Sequence, residues 1–153
     1  MQKNLYVKKI ISQLLAVYVG ITQVSALLVI QQAQAQTSNV SAQQAQQLLE
    51  QGKQQAQHQQ YQQAIQTFQQ VVDLAQQLHD QKLEATALLW LGLSVNKISQ
   101  PQLALKYYNQ SLPLRRAVGD RSGEAITLNN IGGVYDALGQ KPEALKYYNQ
   151  SLP

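Results

Sequence analysis

The stretch Ala104-Leu105-Lys106-Tyr107-Tyr108-Asn109-Gln110-Ser111-Leu112-Pro113 returns unchanged as Ala144-Leu145-Lys146-Tyr147-Tyr148-Asn149-Gln150-Ser151-Leu152-Pro153, an offset of forty residues. An identical decapeptide at a fixed offset marks a repeat array. The same offset toward the N-terminus reaches Ala64, in Tyr61-Gln62-Gln63-Ala64-Ile65-Gln66-Thr67-Phe68, a degenerate copy in register. The other half of the unit repeats too. Ala85-Thr86-Ala87-Leu88-Leu89-Trp90-Leu91-Gly92 lies over Ala125-Ile126-Thr127-Leu128-Asn129-Asn130-Ile131-Gly132, and its earliest copy is Ala45-Gln46-Gln47-Leu48-Leu49-Glu50-Gln51-Gly52.

Each half reads as an amphipathic helix. Leu128, Ile131, Tyr135 and Leu138 fall three or four apart, as do Leu145, Tyr148 and Leu152. Gly119 and Gly139 suit helix C-termini, because glycine enters the left-handed region without a Cβ clash. Asp120 can cap the helix that follows. Pro101 and Pro142 sit in first turns, where a missing N–H costs nothing. The spacing predicts helices over 41–58, 61–78, 81–98, 101–118, 121–138 and 142–152. Pro113 falls inside the fourth, where a kink is expected, with Leu114 to Val118 still helical.

Helix, turn and helix with small residues at set positions resembles the tetratricopeptide repeat. The third unit meets the family's spacings with Leu128, Ile131-Gly132, Tyr135, Ala144 and Tyr148. The second gives Leu88, Leu91-Gly92, Val95, Ala104 and Tyr108; the first gives Leu48, Gln51-Gly52, Gln55, Ala64 and Phe68. Gln51 and Gln55 depart from the apolar pattern. The resemblance implies an all-α, right-handed solenoid of about three stacked helix-turn-helix units, over 41–80, 81–120 and 121–153. The longer period looks like the extended repeat of kinesin light chain. Gly-Asp-Arg-Ser-Gly-Glu-Ala at 119–125 and Leu-Asn-Asn-Ile-Gly at 128–132 are similar to arrays of large bacterial, often cyanobacterial, proteins that commonly precede a caspase-like peptidase domain. By the repeat, Leu-Arg-Arg-Ala-Val-Gly-Asp should follow Pro153, so the chain is expected to be part of a longer array. An end left uncapped would expose Leu145, Tyr148 and Leu152 and favour self-association.

Lys3, Lys8 and Lys9 precede a mostly apolar run from Ile10 to Ile30, and Ala33-Gln34-Ala35 follows. A positive region, an apolar region and a small-x-small exit are the parts of a secretory signal peptide, so residues 1–35 are expected to direct export to a periplasmic or extracellular location. The alternative is an uncleaved membrane anchor, although Ser12, Gln13, Thr22, Gln23 and Ser25 interrupt the run. Three of the twelve basic residues lie in this segment and none of the eight acidic ones, which leaves nine against eight beyond it. The net charge of +4 is therefore mostly an export feature and not a nucleic-acid footprint. Zero cysteines exclude a disulfide framework and a lipid-modified cysteine. Gln31 to Gln81 is roughly two-fifths glutamine, which is compatible with helix. Residues 31–40 read as a flexible linker, with 36–40 as the linker proper beyond the expected signal segment 1–35, and Ser41 with Gln44 as a capping box opening the first helix.

A solenoid works through a shared surface. The resemblance places the first helix of each pair on the concave side. Its inward residues match Thr86, Leu89, Leu93, Asn96 and Lys97 in the second unit, and Ile126, Asn129, Gly133, Asp136 and Ala137 in the third, with Asn130 at the edge. Asn129 and Asn130 are the sharper candidates. Asparagine is a poor helix-interior residue, and its amide both donates to and accepts from a peptide backbone. Trp90 reads as core rather than as a partner anchor. Arg115 and Arg116 read as a solvated turn face. His79-Asp80 reads as a turn residue before a cap, since no further ligand pair stands at metal spacing. No phosphate loop, nucleophile elbow or spaced carboxylate pair occurs. The expected function is non-enzymatic, cofactor-free binding of a protein or peptide partner. The alternative is the regulatory arm of a larger caspase-like peptidase.

Overall fold

The computed structural model describes the backbone of residues 2–151 and the side chains of residues 27–36 and 39–151. Most of the expected export segment, along with Leu152 and Pro153, falls outside the described side chains. Among the described residues there are six helices and no strand: α1 (Gln2–Gln57), α2 (Tyr61–Gln77), α3 (Gln81–Lys97), α4 (Pro101–Ala117), α5 (Arg121–Ala137) and α6 (Lys141–Ser151). Among the described residues, no helix is long and apolar enough to cross a membrane.

The chain divides into two compact parts, residues 1–40 and 41–153, and all three repeat units lie in the second. Residues 31–40 are helical, contrary to the flexible linker expected there, and Ser41 lies inside α1 rather than capping a new helix. The reason is compositional. No glycine or proline occurs between Gly20 and Gly52, and alanine and glutamine are good helix formers. Ser and Asn at 38 and 39 are too weak as breakers to end a helix without a turn residue beside them.

Five turns within residues 41–153 share one geometry. Gln59, His79, Ser99, Gly119 and Gly139, spaced by twenty, have φ of 62°, 55°, 60°, 68° and 75°. The following N–H bonds five residues back in each case, as in Gln60 to Gln55 at 2.8 Å and Asp120 to Arg115 at 2.9 Å. The left-handed residue itself donates three back, as in Gly119 to Arg116 at 3.1 Å. This paired pattern satisfies carbonyls that a helix end would leave open. Asp80 and Asp120 then cap α3 and α5, their carboxylates accepting from the N–H of Leu83 and Gly123 at 2.9 Å. The reading of His79-Asp80 as turn and cap holds. α4 remains helical through the exposed Pro113 to Ala117.

Two cores overlap on α3. The first joins Ala45 and Leu49 of α1, Phe68, Val71 and Val72 of α2, and Leu88 and Leu91 of α3. The second joins Leu89 and Val95 of α3, Ala104 and Tyr108 of α4, and Ile131 and Val134 of α5. Inside each pair, a glycine of the first helix faces a ring of the second: Gly52 with Phe68, Gly92 with Tyr108, Gly132 with Tyr148. A Cβ at Gly52 would stand 2.6 Å from the Phe68 ring, and one at Gly132 2.7 Å from Tyr148, so the ring occupies the space a side chain would need. One turn further on, the partners vary while the slot persists. Thr67 donates to Gln55 Oε1 at 2.8 Å in the first pair. Tyr135 and Tyr147 stack at 5.4 Å in the third. Gln55, a departure from the apolar pattern, is thus satisfied by a matching change across the pair. Adjacent helices pack in order, as an all-α solenoid of helix pairs.

Candidate partner-binding face

α3 and α5, the first helices of the second and third units, touch directly. Of the candidate residues on them, Asn96, Ile126, Asn129 and Asp136 are exposed, Ile126 to 49 %. Leu93, Asn130 and Gly133 are half-buried. Leu89 is only 7 % exposed and belongs to the second core, so it offers a partner little surface. Asn130 Nδ2 donates to its own helix, at Ile126 O, over 2.9 Å. That bond answers one of the asparagine's polar groups locally and leaves its amide oxygen for other contacts. A Cβ at Gly133 would meet only the Tyr148 hydroxyl, at 3.7 Å, so the glycine keeps this part of the face low without being forced by packing.

A notch adjoins this face where the first and second units meet. It has a volume of about 180 Å³ and is walled by Ala56, Tyr61, Trp90 and Leu93, with Lys97 at its rim. Trp90 is half-buried and stacks on Phe68 with centroids 5.9 Å apart and planes 22° apart. It is therefore both a core ring and a wall, where the sequence reading makes it core alone. The sequence reading includes Leu93 and Lys97 but not Tyr61 or Ala56. Ala56 lies at the end of α1 and Tyr61 opens α2, and the approach of these two helix ends to α3 is encoded by no spacing within one helix.

Polar ties join consecutive units at equivalent positions. Gln76 Nε2 donates to Glu84 over 2.7 Å, and forty residues on, Arg116 Nε pairs with Glu124 at 2.6 Å. Arg115 corrects the solvated-face reading. Its residue is 5 % exposed and its guanidinium pairs with the carboxylate of Asp120. The Gly123 N–H and then the Arg115 guanidinium hold the Asp120 carboxyl below its usual range, against the opposing effect of partial burial. A side chain at Gly123 would run into that guanidinium. The signal was in the sequence: arginine, aspartate and glycine five and three residues apart across a turn.

Among the described residues, no group of three or more His, Asp or Glu is placed to hold a metal ion. No curated protein matches the chain. The solved tetratricopeptide domain of Arabidopsis FLU is similar to it, with 26 % identity, 72 % of this chain and 93 % of that chain covered, and a TM-score of 0.69. A family model described as tetratricopeptide repeat matches residues 48–117 and 83–153. With its helix pairs, left-handed turns and glycine-to-ring contacts in the same register, the chain belongs to the tetratricopeptide repeat family.

Proposed function

We propose that this chain is a protein–protein interaction module that receives a peptide or helix of a partner on the face of α3 and α5. Tetratricopeptide domains commonly bind proteins or peptides and typically serve as non-catalytic scaffolds. The observation that carries the reading is the exposed row Asn96, Ile126, Asn129 and Asp136 on two first helices in direct contact. Such a row mixes apolar area with amide groups able to hold an extended backbone. Export through residues 1–35 belongs to the same proposal and rests on the sequence of that segment.

The test is a peptide selected from a random library against the full chain. Its affinity should fall about tenfold in the double variant Asn129→Ala, Asn130→Ala, on the scale of one to two lost hydrogen bonds. Circular dichroism should be unchanged, since both positions favour alanine in a helix. Equal affinity before and after the change would count against the groove.

A further inference from the structure

We infer that the notch between the first and second units is a specificity pocket for one aliphatic side chain of a partner peptide that carries an aspartate or glutamate within one or two residues. This rests on the groove reading above and deepens it. The volume, about 180 Å³, is below the roughly 300 Å³ at which small-molecule sites begin, so the notch suits a side chain of leucine or methionine size rather than a free ligand. Its walls are apolar: Ala56, Tyr61, Trp90 and Leu93. Trp90 is held by its stack on Phe68, which sets that wall before any partner arrives. Ser94 and Gln57 are the uncharged polar members of the lining, and Ser94 donates its hydroxyl proton to Trp90 O at 2.8 Å.

Charge decides the rest. Lys97 is the one charged residue of the lining, and no acidic residue shares it. The ion pairs among the described residues join Lys53 to Glu50, Arg115 to Asp120 and Arg116 to Glu124, so Lys97 is exposed with no carboxylate on it. A cation beside a mostly apolar hollow favours an occupant whose own carboxylate follows its apolar residue.

The experiment uses the full chain and a phage-displayed library of random decapeptides. Selected peptides should pair a bulky aliphatic residue with an adjacent or next-but-one acid. Lys97→Glu, exposed and so expected to keep the fold by circular dichroism, should weaken the best peptide about fivefold or more, and replacing the peptide's acid by lysine should restore binding to that variant. Leu93→Ala should weaken it irrespective of charge. Peptides that lack the pair, or that ignore Lys97→Glu while losing affinity in Asn129→Ala with Asn130→Ala, overturn the notch and leave the groove standing. Selection of no peptide at all overturns both.

Discussion

At the scale of single residues, the fold depends on a glycine facing a ring. Gly92 and Tyr108 are both buried, and the Tyr108 ring fills the volume where a Cβ would stand. Gly92→Ala should therefore cost about 1–3 kcal/mol by overpacking, read as a lower urea midpoint. Tyr108→Phe should do the opposite. The buried Tyr108 hydroxyl has no hydrogen-bond partner, and burial pushes its ionisation above the ordinary phenol range. Phe68 fills the same slot one unit earlier without a hydroxyl. Removing the hydroxyl should leave stability unchanged or raise it by about 1 kcal/mol, since an unmatched buried polar group costs free energy. A clear loss in Tyr108→Phe would mean that the hydroxyl has a partner.

At the scale of elements, two features stand out. Asp120 ends one helix's turn, caps the next and pairs with Arg115, so one carboxylate ties α4 to α5. Its pKa is lowered in the folded chain, so its contribution is complete above the unfolded value of roughly 4 and is lost as pH falls through the folded value. Asp120→Asn should lower stability at neutral pH and flatten the acid limb of a stability-versus-pH curve; an unchanged limb would remove Asp120 from the acid response. Pro113 is the second feature. It is exposed, and its nitrogen cannot donate within α4. Pro113→Ala should raise the denaturation midpoint by an amount corresponding to about 1–3 kcal/mol.

At the scale of the whole array, α3 belongs to both cores, through Leu88 and Leu91 on one side and Leu89 and Val95 on the other. Ile65 and Tyr107 pack against both as well. Helix pairs that share so many buried side chains should unfold together rather than one by one. Leu91→Ala, at a position with no exposure, should cost about 2–5 kcal/mol and shift one transition, seen alike by far-ultraviolet dichroism and by Trp90 fluorescence. Two separated transitions would show the units to be independent.

Periodicity by itself determined helices α2 to α6, the turns and the pairing of small residues with rings, but not where α1 begins. All of these are local or recur at a fixed offset, so the decapeptide at 104–113 and its copy reveal them. His79 and Gly119 occupy equivalent turns because a left-handed residue is needed every twenty positions, whatever its type. Tertiary structure alone decided three other matters. Leu89 went to the core while Ile126 stayed exposed, although both sit on the same face of equivalent helices. Arg115 went inside, because Asp120 across the turn neutralises it and Gly123 leaves it room. Tyr61 came to stand by Trp90. Burial and pairing of these side chains depend on which surfaces neighbouring helices cover, and that is a property of the packed stack that no single helix's pattern contains.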